Sequence, residues 1–216
     1  MENILIAGAN GQTGKRVVEI LNNTENFSPV ALIRKEEQKQ IFEDMEVESI
    51  LADLEGDVDH TMQGIDKVIF AAGSGGHTGP DKTTAVDQNG AIKLIDAAKN
   101  ANVKKFIMLS AMGTDTPEKF GDLEHYLKAK KTADDHLRES GIPFTIVQPG
   151  ALTDDMGLAK VKLAEKLNEQ GEISRDDVAF LLVMSLADPL MKNMSFEAIE
   201  GQESIKSAMI ELSKLG

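Results

Sequence analysis

The sequence predicts an α/β protein: a parallel, doubly wound sheet with helices on both faces and a small carboxyl-terminal part added to it. Three observations point there. Short apolar runs rich in Val, Ile and Ala recur along the chain, as in strands buried on both faces. Up to Gly150 these runs alternate with stretches of helical periodicity, the pattern of parallel strands joined by crossover helices. The first run, Asn3 to Ala7, also ends in Gly8-Ala9-Asn10-Gly11-Gln12-Thr13-Gly14 and passes straight into a helical pattern.

That turn is what a backbone needs to approach a diphosphate. Gly8 allows the tight turn, Gly11 removes the Cβ that would block the pyrophosphate, and Gly14 lets the helix pack closely on the strand. The spacing is G-x-x-G-x-x-G, and its weight comes from standing between a strand and an amphipathic helix. The free N–H groups of that helix start supply an anion site. Asn10, Gln12 and Thr13 complete the candidate cofactor contacts of the turn.

Composition narrows the rest. At 216 residues the chain fits one domain, 1–216, with 151–216 forming the substrate-side part. Its hydrophobic content of 41% and charged content of 27% are those of a soluble globular protein. A net charge of −13 argues against nucleic acid and against an anionic membrane surface. Without cysteine there is no disulfide, thiolate nucleophile or Cys-based zinc site, and no metal is expected. The chain enters its first strand at once and has no apolar run long enough to span a bilayer, so a cytoplasmic protein is expected.

The first helix carries Val17, Val18 and Leu21 on one face and ends near Asn22. Pro29–Ile33 is a buried strand with Arg34 at its carboxyl end, the spot that faces the adenosine ribose in a dinucleotide fold. An acidic residue there would hold the 2′-hydroxyl of NAD. A guanidinium suits the 2′-phosphate of NADP, so NADP is expected rather than NAD. Glu46–Leu51 reads as a third strand; Asp53 and Leu54 after it are placed at the adenine, or Asp53 caps the short helix around 57–62. Asp66–Gly73 is a fourth strand, and Ala71, Ala72 and Gly73 at its end let the cofactor's second half lie close to the backbone. In the glycine-rich loop beyond, His77 is a substrate candidate or a surface histidine.

Thr84–Asn102 reads as one long helix with Ala85, Ile92, Ile95 and Ala98 facing inward. Lys104–Leu109 is a fifth strand ending at Ser110. Helical patterning from Lys119 to Glu139 stops at Gly141-Ile142-Pro143, and the strand Pro143–Val147 ends in Gln148-Pro149-Gly150. Beyond it, Met156–Gln170 reads as a helix, Ser174 as the cap of a helix over Val178–Ala187, Ser195–Ile199 as a strand and Ile205–Leu215 as a last helix. This tail is expected to wall a pocket with the 73–80 loop, Met112, Leu152 and Met156.

Tyr126, the only tyrosine, lies four residues before Lys130 and on the same helix face. Reducing a carbonyl requires a hydride donor on one face and an acid for the developing oxyanion. A phenol with pKa near ~10 needs about 4 kcal/mol of differential stabilisation to reach neutrality. A neighbouring ammonium and an oxidised nicotinamide both favour phenolate. Tyr126 is therefore the candidate acid/base, Lys130 its electrostatic and ribose partner, and Ser110 the orienting donor. The bland alternative is a packed tyrosine and a solvated lysine.

Several stretches together resemble the atypical short-chain dehydrogenase/reductase family, in its NAD(P)-binding branch of NmrA-like and flavin-reductase-like proteins. They are Gly8–Gly14, Ala31-Leu32-Ile33-Arg34, Phe106–Ser110, Tyr126-x-x-x-Lys130, Pro149-Gly150 and Ile173-Ser174-Arg175-Asp176-Asp177-Val178-Ala179. The resemblance implies a Rossmann-type fold, NADP preference through Arg34, catalytic positions at Ser110, Tyr126 and Lys130, and Pro149 among the cofactor contacts. Gln148 replaces an arginine that many relatives carry, and Ala71-Ala72-Gly73 lacks the asparagine of some members. The expected activity is an NADP-dependent oxidoreductase acting on a small carbonyl or quinone-like molecule, with oligomeric state left open. A cofactor-binding redox sensor is the alternative. A nucleotide-sugar epimerase is disfavoured by the small amount of chain after Gly150.

Overall fold

The computed structural model describes residues 1–75, 78–187 and 191–214. β1 (Glu2–Ala7) leads into α1 (Gln12–Asn22), β2 (Phe27–Ile33), the short α2 (Lys39–Glu43) and β3 (Glu48–Leu51). β4 (Lys67–Phe70) is followed by a composite helix: α3 (Pro80–Lys82), a π-helical stretch over Thr83–Gly90, and α4 (Ala91–Asn100). Next come β5 (Lys105–Leu109), α5 (Glu124–Glu139) and β6 (Phe144–Pro149). The remainder holds β7 (Ala151–Thr153), β8 (Lys160–Ala164), β9 (Glu172–Ser174), α6 (Arg175–Ala187), β10 (Met194–Glu200), β11 (Glu203–Ser204) and α7 (Ile205–Ser213).

The main sheet runs β11-β8-β10-β6-β5-β4-β1-β2-β3. From β3 to β10 every pairing is parallel. After β1 the chain builds outward through β2 and β3, then returns to lay β4 on the other side of β1. Strand order thus reverses beside β1, which opens a crevice at the carboxyl ends of β1 and β4.

Alternation along the strands separates two cores. Ile4 and Ile6 of β1 face Val17, Val18 and Leu21 of α1 and the apolar side of α6. Leu5 and Ala7 face the other way, toward Leu94 and Ile95 of α4 and Leu137 of α5. Both faces of the sheet are covered, as its apolar strands require.

Two expectations are corrected. Residues 156–170 contain a strand and no helix: β8 pairs antiparallel with β10, burying Val161 while Lys160 and Lys162 stay exposed. Its residues have ordinary helix propensity, but the unpaired edge of β10 supplies ladder hydrogen bonds and a buried site for Val161. β11 adds to β8, also antiparallel, so the sheet is parallel only as far as β10. The second correction is the long helix. Its π-helical stretch rotates the inward face, leaving Ala85 and Ile92 half-buried while Asp87, Gly90, Ala91 and Leu94 are buried beside the expected Ile95 and Ala98.

Residues 151–216 extend the main sheet through β10, which lies directly against β6. Ser174 caps α6, its Oγ accepting the Asp177 amide at 3.1 Å. The same acidic pair ties down the preceding loop: Asp176 accepts the amide of Gly157, and Asp177 those of Leu158 and Ala159. Asp176 also pairs with Arg16 of α1. The Ile173–Ala179 segment therefore has a structural task that its charged residues account for. Among the described residues no helix is long and apolar enough to cross a membrane.

Candidate functional site

The turn after β1 is built around two close approaches. Gly8 has φ +85°, and a Cβ there would lie 2.6 Å from Ala72 N and Cα. A Cβ on Gly14 would lie 2.0 Å from the Gly8 carbonyl oxygen, so only glycine lets α1 sit on the turn. Gly11 donates its amide to Gly8 O at 2.8 Å and stands at the N-cap of α1, whose first-turn amides have no partner within the helix.

These residues open onto a cavity of about 390 Å³. Gly8, Asn10, Gly11, Arg34, Asp53, Leu54, Ala71, Ala72 and Gly73, all candidate cofactor contacts in the sequence, line it. Leu32 lines it too, with Ser74 and Thr78 from the 73–80 loop that was expected at the substrate pocket; Gln38, Ala52, Lys82 and Val86 join them without having been singled out. Gln38 is legible afterwards: its side-chain oxygen accepts the amides of Arg34 and Lys35, pinning the chain at the cavity rim. Across the rim, Lys82 pairs with Glu55 at 2.6 Å. Asp53 lines the cavity and accepts the Glu55 amide at 2.9 Å; it does not cap the turn over Asp59–Met62, whose N-cap is Val58.

The cavity suits a dinucleotide. Its walls carry backbone where a Cβ would intrude, the N-cap of α1 opens onto it with the amides that favour an anion, and Asn10 Oδ1 is buried without a partner among the described residues. Arg34 is exposed on the wall, with no carboxylate paired to it among the described residues. Gln12, Thr13, Gly14 and Pro149 do not line the cavity. Gln12 reaches toward Asp154, Thr13 and Gly14 pack inside α1, and Pro149 is buried, its carbonyl accepting the Met112 amide. His77 lies outside the described residues. Met156 is 79% exposed, so the expected apolar pocket does not include it.

Ser110, Tyr126 and Lys130 do come together behind the cavity wall, Ser110 and Lys130 buried and Tyr126 half-buried. Lys130 is 3% exposed. Its ammonium donates to Leu109 O at 3.2 Å and Ala72 O at 3.4 Å, and lies 3.3 Å from Asp87 Oδ1. It also sits 5.8 Å from the ring centroids of both Phe70 and Tyr126. These partners hold its ammonium at the cavity wall, beside Ala72, where a nicotinamide ribose contact was expected from the sequence. Ser110 is buried as well, and its hydroxyl donates to Asp134 Oδ2 at 2.6 Å.

Two members of the cluster escaped the sequence: Asp87 and Asp134, 1% and 0% exposed. The signal for Asp134 was present, since it lies four residues after Lys130 on the same face of α5. Asp87 had none, because the π-helical turn that brings it inward is invisible in the periodicity.

Burial raises the Tyr126 phenol above the ordinary tyrosine value; Lys130 pulls it down, while Asp87 and Asp134 push it further up. Lys130 alone would favour phenolate, but burial and two carboxylates win, and Tyr126 is a neutral phenol. Burial works against the Lys130 ammonium, yet Tyr126, Asp87 and Asp134 outweigh it and hold its pKa above the ordinary lysine value. Burial also brings the Asp134 carboxyl up to about 6, against the pull of Ser110, Arg138 and Lys130. The arrangement can donate a proton and hold a dinucleotide next to it.

Residues 8–189 match the family model described as NAD(P)H-binding. An uncharacterised sugar epimerase of Bacillus subtilis (strain 168) is 42% identical to this chain, across 97% of this chain and 99% of its own length. The structure of a provisionally assigned NAD-dependent epimerase/dehydratase from Bacillus halodurans is similar with a TM-score of 0.94 at 36% identity, covering 98% of this chain and 100% of that one. The sanguinarine reductase of Eschscholzia californica is 27% identical across 98% of this chain and 94% of its own.

Proposed function

The chain belongs to the NAD(P)H-binding family, and on that premise we propose that it is an NADP-dependent oxidoreductase moving a hydride between NADPH and a small carbonyl or quinone-like compound. One observation carries the proposal: Lys130 reaches the carbonyl of Ala72, a wall residue of the cavity, while lying against the Tyr126 ring. A phenol is thereby held next to the place where a dinucleotide fits.

NADPH, when bound, supplies the hydride. Gly8, Gly11 and the start of α1 hold the diphosphate, and Arg34 favours the 2′-phosphate of NADP over the bare hydroxyl of NAD. Tyr126, protonated, gives its phenolic proton to the substrate oxygen as charge builds there. Lys130 favours that transfer electrostatically through the ring side, because its ammonium stays bound to Leu109 and Ala72. Ser110 acts at one remove by fixing Asp134.

The test is NADPH oxidation, followed by its near-ultraviolet absorbance, against a panel of aldehydes, ketones and quinones, with Tyr126→Phe beside the wild type. Turnover of at least one class is expected, with kcat lowered about 100-fold or more in Tyr126→Phe and NADPH affinity retained. Binding of NADPH with no turnover of any class would favour a cofactor sensor instead. Full activity in Tyr126→Phe would remove the tyrosine from the chemistry. The epimerase names of two relatives are met by adding nucleotide sugars to the panel, where interconversion without net NADPH loss would replace the proposal.

A further inference from the structure

Asp87 is a carboxylate in the middle of a helix, buried against the end of the sheet. Burying a carboxylate is costly unless it is paired and hydrogen-bonded. Here Oδ2 accepts the Ser74 amide at 2.8 Å, while Oδ1, which accepts no hydrogen bond, is ion-paired with the Lys130 ammonium at 3.3 Å. A side chain on the facing loop would crowd the approach, since a Cβ on Gly73 would lie 3.1 Å from Oδ1 and the carboxylate would have to give by a few tenths of an ångström. The approach also needs the π-helical stretch over Thr83–Gly90, a local irregularity that often accompanies a functional site. Gly73 and Ser74 line the cofactor cavity. One side chain thus ties the cavity wall to the lysine that lies against the Tyr126 ring.

We propose that Asp87 is a positioning residue for the proton donor: its carboxylate, anchored by the Ser74 amide, neutralises Lys130 and fixes the ammonium between the cofactor wall and the Tyr126 ring. The inference rests on the oxidoreductase reading for its purpose. Lys130 unopposed would favour a phenolate before substrate arrives; Asp87 beside it tempers that pull, so the phenol rests neutral while Lys130 still favours its giving the proton to substrate. The other charges acting on Tyr126 and Lys130 are placed to assist. Asp134 stands on α5 itself, bonded to Ser110. His125, beside Tyr126 in the chain, is exposed and turned to Thr84 Oγ1 and Pro80 O. Farther along the same helix, Asp96 of α4 is taken up by His136, and Arg138 by Asp135.

Composition makes the test direct. Tyr126 is the only tyrosine and there is no tryptophan, so phenolate absorbance in the near ultraviolet reports this one residue. The protein is titrated without cofactor or substrate, with circular dichroism on the same samples limiting the comparison to the folded range. The wild-type midpoint is expected above the ordinary value. Asp87→Asn keeps an acceptor for the Ser74 amide and loses the charge, and its midpoint should fall by about one pH unit or more. Lys130→Met should move it the opposite way. If Asp87→Asn does not fold, adding it to Lys130→Met must still lower the midpoint of that variant. A midpoint that stays put or rises on loss of the Asp87 charge overturns the inference, even if the protein reduces substrates. A protein that turns over nothing but shows the shift leaves it standing and removes only the activity.

Discussion

At the turn after β1 the chain offers a ligand almost nothing but backbone. Gly8 and Gly14 are defined by what they lack, since a Cβ on either would strike Ala72 or the Gly8 carbonyl. Behind the wall formed by Ala72, the cluster is made of side chains with charge: Lys130 and Asp134 of α5 and Asp87 of the π-helical stretch, all buried, around one phenol. The first region tolerates no added atom, and the second tolerates no unbalanced charge. Substitutions in the two regions should therefore fail in different ways. Packing errors at the turn cannot relax and cost stability outright, whereas charge errors in the cluster appear as pH dependence.

The largest effect should come from Gly14→Ala. With a methyl 2.0 Å from the Gly8 oxygen, α1 must move off the turn. We expect a loss of about 3 kcal/mol or more in denaturant unfolding, and loss of NADPH binding with it. Wild-type stability in Gly14→Ala would mean that the turn is looser than its geometry.

Next is the cluster. Burial raises the Asp134 pKa from 3.8 to about 6 in the folded protein, so the folded state binds the extra proton between those values. For an acid shifted upward the favourable contribution is present at low pH and is lost as pH rises through the folded pKa. Stability should therefore decline between pH about 4 and about 6 by at most about 3 kcal/mol, then level off. Asp134→Asn can still accept the Ser110 hydroxyl and should abolish that slope, as unfolding midpoints across the range will show. A slope of equal size in the variant would assign it to another group.

The smallest of the three belongs to the exposed side of the cavity. Arg34→Ala should weaken NADPH by about tenfold, or about 1.4 kcal/mol, and NADH far less, with no change in stability. Equal losses for the two cofactors, measured by fluorescence titration, would sink the assignment of Arg34 to the 2′-phosphate.

The same contrast explains what could be read in advance. A glycine turn announces itself, because local conformation and close approach restrict residue type at fixed spacing; the spacing predicts the tight turn at Gly8 and the close helix packing at Gly14 that the fold contains. Tyr126 and Lys130 were also found, being one helical turn apart. Their surroundings were not. Asp87 reaches them from a helix far away in the chain through a π-helical turn, and Ser110 faces inward only because Asp134 is there to receive it. The β8 segment was misread for a related reason, since its strand exists through the edge of β10 and not through its own propensity.

By itself, then, the sequence determined the alternation of elements, the dinucleotide-type turn and the tyrosine–lysine spacing, all set by contacts within a few residues. Only the tertiary structure decided that Lys130 is buried and paired, that the Tyr126 phenol keeps its proton, and that residues 151–216 continue the sheet through β10. Those outcomes depend on which charges and edges meet across the fold, where burial makes each pairing strong and each missing partner costly.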